Sequence, residues 1–139
     1  MNYKIVGKYI KDLKFEIPNP KTFFLLEKNI SNYKINIDIK STRLKDKIIE
    51  VIITLSLNSA TEELDKINTK IVFSTIIEIE GELKEKKTLE KIILIKVPNE
   101  IYSEIRSLFV LLFEKSGFKK IKIEEKIDFE ELYLKRNVQ

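Results

Sequence analysis

Tyr33-Lys34-Ile35-Asn36-Ile37-Asp38-Ile39-Lys40 alternates large apolar with polar side chains without a break, the period-two pattern of a strand with one buried face. The same odd-numbered phase returns in Ile49, Val51, Ile53, Leu55 and Leu57, and again in Ile67, Ile71, Phe73, Ile77 and Ile79. Upstream, a strand from about Tyr3 to Glu16 sets Tyr3, Ile5, Tyr9, Leu13 and Phe15 on one side, with Gly7 a candidate bulge. The connections Ser41–Asp46 and Asn58–Asp65 are short and turn-like, which favours antiparallel neighbours over helical crossovers. On the opposite faces Val6, Ile10, Ile48, Ile52, Val72 and Ile76 interrupt the charges. They read either as a surface lying against another subunit or as ordinary scattered surface hydrophobes.

Past Gly81 the pattern changes. Glu82–Lys91 reads as a charged connector and Ile92-Ile93-Leu94-Ile95 as an extended run. A helix is predicted from Asn99, a good N-cap, to Ser116-Gly117, a natural C-terminal stop. Its apolar side chains cover an arc wider than the roughly 100° stripe that one packing surface needs. Ile101, Ile105, Leu108, Phe109, Leu112 and Phe113 are therefore the candidate oligomer interface, with a second copy of the chain as the simplest extra cover. A last helix starts at Asp128, where Glu131 completes a capping-box-like pair and Phe129, Leu132 and Tyr133 share one face. The fold class predicted is α+β, a four-stranded antiparallel sheet followed by a long helix and a short C-terminal helix.

Composition narrows the chemistry. The chain has 139 residues, 43% hydrophobic and 35% charged, which suits one domain over residues 1–139 with one core. Cysteine and histidine are absent, which removes disulfides, thiol nucleophiles, imidazole or thiolate metal sites and the commonest general base near neutral pH. No cofactor, metal or catalytic residue is expected, since no glycine-rich phosphate loop or nucleophile–base pair is present either. Carboxylate pairs such as Glu62-Glu63 and Glu124-Glu125 read as surface charge. The isoleucine and lysine excess fits either a hot habitat or an AT-rich genome. No leader-like N-terminus and no long apolar run is visible, so a cytoplasmic protein without membrane insertion is expected.

Tyr9-Ile10-Lys11-Asp12-Leu13-Lys14-Phe15-Glu16-Ile17-Pro18-Asn19-Pro20 resembles the opening signature of the SecB family of protein-export chaperones. Val97-Pro98-Asn99, opening a long apolar helix, and Ile127-Asp128-Phe129-Glu130-Glu131-Leu132-Tyr133 resemble two later family motifs, in the correct order. The resemblance implies an ATP-independent holdase that keeps unfolded or nascent polypeptides from aggregating, assembled as a homotetramer built as a dimer of dimers. By position it implies a client groove drawn from Phe15, Phe23, Phe24, Leu26, Ile30, Tyr33, Ile35, Leu83, Leu89, Phe129 and Tyr133. Phe23-Phe24-Leu25-Leu26 is expected in a loop after the prolines.

Asp12 and Glu16 stand where the family docks the SecA motor, whereas the matching position on the fourth strand is Lys70 and the sequence ends without an acidic tail. The net charge of +4 also departs from acidic export members, so the resemblance implies chaperone activity more firmly than handover to a motor. A SecB-like chaperone dedicated to a toxin–antitoxin pair fits as well. A basic nucleic-acid-binding module is the alternative from another class, suggested by Lys84, Lys86, Lys87, Lys91 and Lys119-Lys120 with Lys122. Interleaved glutamates and only three arginines argue against it, and no nucleic-acid partner is expected.

Overall fold

The computed structural model describes residues 2–29, 33–59, 68–82, 85–118 and 123–138. Four strands, β1 (Asn2–Glu16), β2 (Tyr33–Lys45), β3 (Ile48–Ser59) and β4 (Asn68–Glu80), form an antiparallel sheet in the order β1-β4-β3-β2. Helix α1 (Pro20–Asn29) follows β1. Helix α2 (Lys86–Lys91), a π-helical segment (Ile92–Lys96) and α3 (Val97–Lys115) run on as one, and α4 (Phe129–Val138) comes last. The sheet, the long helix and the short terminal helix are those the sequence predicts.

The core lies between the middle strands and α3. Ile49, Val51, Ile53, Leu55 and Leu57 of β3 and Ile71, Phe73, Ile77 and Ile79 of β4 are each 5% exposed or less. Helix α3 answers with Val97, Ile101, Ile105, Phe109 and Phe113, one per turn and each 1% exposed or less. Burying side chains of this size stabilises by roughly 1.5–3 kcal/mol each. Ile101, Ile105, Phe109 and Phe113 are thus corrected from interface to core, because the chain's own sheet covers them. Of the proposed interface, Leu108 and Leu112 stay half-buried on the helix flank, next to Leu111, which is exposed.

Strand β1 departs from simple alternation. Tyr3 and Ile5 face the helices opposite Ile79 and Ile77. A register shift between Ile5 and Gly7, at the glycine marked as a bulge, then turns Tyr9 to the outer face opposite Ser74. A second shift between Ile10 and Asp12 returns Leu13 and Phe15 to the inner face. Tyr9 is therefore corrected to the side opposite its expected companions.

Two helical corrections trace to proline. Phe23–Leu26 lie in α1 rather than a loop: Asn19 Oδ1 accepts the Thr22 N–H at 2.8 Å, and Pro20 occupies the first helical position, where its missing N–H costs nothing. Ile92–Ile95 are π-helical rather than extended, and the Val97 N–H donates to the Ile92 carbonyl. Pro98 comes directly after; its ring crowds the carbonyl one turn back and lacks a donor, and a wider turn absorbs both defects. The helix accordingly begins before Asn99.

The expected connector Glu82–Lys91 is helical from Lys86 on, whereas the end of α3 and the start of α4 are as expected. At the end of α3, Gly117 has φ +98°, and the Phe118 and Gly117 N–H groups donate to the carbonyls of Phe113 and Glu114, a Schellman cap with the Phe118 and Phe113 rings 5.6 Å apart. At the start of α4, Asp128 Oδ1 accepts the Glu131 N–H at 2.9 Å. The β2–β3 turn is tighter than expected, since β2 continues to Lys45 and β3 starts at Ile48. Ile67 and most of the Asn58–Asp65 connection lie outside the described residues.

Candidate functional site

β2 is an edge strand whose inner face is left partly open, as is that of β1, the other edge, where Leu13 is 46% exposed. Ile35, Ile37 and Ile39 share the helix side of the sheet with Leu57, Leu55 and Ile53 of β3, their register partners, yet they are only half-buried where those partners are sealed. Helix α3 packs over β3 and β4, while α4 packs against the π-helical segment.

Helix α4 is anchored at both ends of its buried face. Phe129 is 2% exposed, with its ring 6.0 Å from that of Tyr102. The Tyr102 hydroxyl donates to the Glu124 carbonyl at 2.7 Å and Arg106 Nε to the Ile123 carbonyl at 3.1 Å, which ties the segment before α4 to α3. Burial pushes the Tyr102 hydroxyl pKa up and the Glu124 charge adds to this, while Arg106 opposes it. One turn further, the Tyr133 hydroxyl donates to Glu90 Oε2 at 3.3 Å.

Between β2 and this helical wall runs a groove. A cleft of about 530 Å³ is lined by Ile39, Lys40, Ser41, Thr42, Ile52, Glu90, Ile93, Leu94 and Arg136. A second, of about 190 Å³, is lined by Ile37, Asp38, Ile39, Leu94, Phe129, Leu132, Tyr133 and Arg136. Shared Ile39, Leu94 and Arg136 make the two continuous. Ile37, Ile39, Ile93 and Leu94 supply an apolar strip, and Asp38, Lys40, Ser41, Thr42, Glu90 and Arg136 add polar groups of both charge signs, most densely in the larger cleft. A third cleft, about 470 Å³, lies elsewhere, lined by Phe15, Ile17, Asn19, Pro20, Phe23 and Ser116. Rings close behind it: Phe15 stands 5.0 Å from Phe113 and Phe23 4.9 Å from Phe118.

The sequence-predicted groove residues therefore divide. Phe129 and Tyr133 line the β2–α4 groove, and Ile35 continues its apolar row. Phe15 and Phe23 line the α1 cleft. Leu89 is half-buried against the core, and Phe24 is 63% exposed on α1. Leu26 is corrected to core, at 0% exposure, because α1 turns it inward. Ile30 and Leu83 lie outside the described residues, and of Tyr33 only the strand position is described. Ile37, Ile39, Leu94, Leu132 and Arg136 were not among the groove candidates; Ile35 was placed there by the family resemblance, and Ile37 and Ile39 follow it in the same alternation.

The outer face carries its own polar cluster. Glu50 lies flat there, 9% exposed, with Oε2 accepting from Ser74 Oγ at 2.7 Å and from the Tyr9 hydroxyl at 3.0 Å, and with Lys11 Nζ at 3.4 Å. The Ser74 hydrogen bond, then those from Tyr9 and Lys11, hold its carboxyl below the usual carboxylate range against the opposing effect of desolvation. Asp12 and Glu16 are exposed on the same face, opposite Val72 and Asn68, with Lys14 opposite Lys70 between them. Among the described residues no cluster of carboxylates could hold a metal ion, and no helix is long and apolar enough to cross a membrane.

A four-stranded antiparallel sheet with a groove at its edge, backed by helices, defines a small α+β protein with a candidate binding groove. The family of preprotein translocase subunit SecB matches residues 1–139. A SecB relative from Pelagibacter ubique (strain HTCC1062) is 43% identical, covering 97% of this chain and 96% of its own. The protein-export protein SecB of Anaplasma phagocytophilum (strain HZ) is 28% identical over 96% of this chain and 91% of its own. In fold, the chain is similar to a SecB-like chaperone of Mycobacterium tuberculosis solved in complex with a ChAD peptide from the HigA1 antitoxin, with TM-score 0.65, 11% identity, and coverage of 90% and 88% of the two chains. The chain belongs to the SecB family of protein-export chaperones.

Proposed function

We propose that the protein is a nucleotide-independent holdase that binds extended apolar segments of unfolded or nascent polypeptides in the β2–α4 groove. The observation that carries this is the half-open row Ile35, Ile37 and Ile39 beside the sealed face of β3. Contiguous apolar surface at a cleft marks an interaction site rather than chance exposure. Burying about 500 Å² of client apolar surface gives on the order of 12 kcal/mol gross, most of it offset by ordering the client and by lost translational freedom. Each groove is then a modest binder, and several grooves in one assembly hold a long chain by effective concentration. The α1 cleft at Phe15 and Phe23 is a second contact for the same client.

The assembly is a homotetramer in this reading, joined through the flank of α3 where Leu111 is exposed and Leu108 and Leu112 are half-buried, and Asp12 and Glu16 are the carboxylates that a SecA-type motor would meet. The decisive experiment is suppression of aggregation of a chemically denatured protein without ATP, alongside light scattering for subunit count. Protection at stoichiometric chaperone supports the reading; aggregation at the unprotected rate removes it.

A further inference from the structure

Beyond Thr42 the β2–β3 hairpin leaves the groove, and its tip reads Arg43-Leu44-Lys45-Asp46-Lys47. A register shift falls between Arg43 and Lys45, which makes Leu44 the extra residue of a bulge, and Leu44 is 50% exposed. Every residue from Lys40 to Lys47 is exposed. Arg43 stands opposite Ile49 of the core side and Lys45 opposite Ile48 of the outer side, so a base lies on each face of the sheet beside the leucine. The Ile79 N–H donates to the Lys47 carbonyl at 2.8 Å, which ties the base of the tip to β4. Among the described residues no ion pair engages Arg43, Lys45 or Lys47.

From Lys40 to Lys47 four bases stand against one acid, Asp46, whereas Glu85 and Glu90 dilute the lysine run Lys84–Lys91. Charge complementarity therefore calls for an anionic partner, and the leucine and the convex shape choose among such partners. A nucleic acid is met by arginine forks and by rings on which bases stack, and this tip has one arginine and no ring. An acidic protein needs about 800 Å² of matching surface on each side, more than a hairpin tip offers. A bilayer with acidic headgroups needs neither. Bases meet its phosphates while an apolar side chain enters the boundary beneath them.

We propose that the β2–β3 hairpin tip is a peripheral docking site for anionic phospholipid bilayers, with Leu44 entering the headgroup layer and Arg43, Lys45 and Lys47 meeting the phosphates. The contact is shallow and lies on the membrane; no helix among the described residues is long and apolar enough to cross one. Each base near an acidic bilayer strengthens binding about fivefold, and salt screens the attraction. A single leucine adds little more, so docking is reversible. β2 runs from the tip straight into the groove, and Ile39 lies roughly 17 Å along the strand from Leu44. A molecule held by its hairpin thus presents its groove beside the membrane.

The test is co-sedimentation of the full chain with vesicles of phosphatidylcholine alone or with about one-third phosphatidylglycerol, at low and high salt. Binding to the anionic vesicles is expected to exceed that to neutral ones by about tenfold or more and to fall in high salt. Arg43→Glu combined with Lys45→Glu should weaken it by about tenfold or more, and Leu44→Ser by about fivefold. These side chains are exposed, so urea midpoints of the variants should match that of the unaltered protein. Leu44→Cys introduces a lone thiol into a cysteine-free chain, and a nitrobenzoxadiazole label there should shift to the blue on anionic vesicles only. No preference for anionic vesicles, undiminished binding by the charge-reversed variant, or a label that keeps its aqueous emission overturns the proposal. So does tighter binding to a homopolymeric RNA that Leu44→Ser leaves unchanged, which would assign the tip to nucleic acid. The vesicle assay contains no client, so its result stands apart from the client-binding reading.

Discussion

The Tyr133 hydroxyl reaches across from α4 to Glu90 on α2, one turn beyond Phe129, which is sunk in the core beside Tyr102. Anchor and latch sit on one face of the helix that walls the groove, and they differ in kind. Phe129→Ala is expected to cost about 3–5 kcal/mol, because it opens a cavity under α4. Tyr133→Phe keeps the ring and loses one hydrogen bond, at about 1 kcal/mol. Urea denaturation measures both, and similar costs for the two variants would show that the hydroxyl, not the packing, holds α4.

On the outer face the acid response depends on Glu50. Its folded pKa lies below its unfolded value of about 4.5, so the stability it contributes is present above that pH and is lost as pH falls through the lowered folded value. Glu50→Gln is expected to lower stability at pH 7 by about 1 kcal/mol and to flatten the decline as the pH falls below about 4.5. Urea midpoints across that range check it; a curve parallel to that of the unaltered protein would leave no role for the carboxylate.

Period-two alternation made the strands legible because a sheet with one buried face must repeat every second residue. It failed at Tyr9, where a bulge at Gly7 inserts one residue and inverts the parity of the positions after it. Phe23–Leu26 hid α1, since four adjacent apolar residues carry no period, although Asn19-Pro20 was a readable helix start. The run Ile92–Ile95 fits a buried strand or helix equally by pattern, and Pro98 settles it only through geometry. The groove was half legible. Ile35, Phe129 and Tyr133 could be pointed to, but Ile37 and Ile39 matter because β2 ends the sheet, and strand order comes from long-range pairing that no local pattern encodes.

Asn19 is expected to nucleate α1. With its side chain on the Thr22 N–H and its carbonyl accepting from Phe23 at 3.1 Å, Asn19→Ala should destabilise by about 1 kcal/mol and loosen Phe23 over its cleft. Far-UV circular dichroism with urea titration reads the first effect. Hydrogen exchange of the amides from Thr22 to Leu26 reads the second, and unchanged exchange there would mean that the packing of Leu26 alone fixes the helix.

In the proposed reading client binding and self-assembly draw on different side chains, so separate substitutions should divide them. Ile39 is half-buried at the overlap of the two clefts, and Leu111 is 47% exposed on the flank of α3. Ile39→Thr preserves strand propensity while removing about 1–1.5 kcal/mol of apolar contact, and should weaken peptide affinity five- to tenfold at an unchanged subunit count. Leu111→Asp places a charge where two flanks would meet, and should reduce the subunit count while each protomer keeps its affinity for a short peptide. A long unfolded client should then bind Leu111→Asp more weakly although the short peptide does not, because the loss is one of effective concentration. If Ile39→Thr lowers the subunit count, or Leu111→Asp abolishes short-peptide binding, groove and interface are one surface and the division drawn between them is wrong.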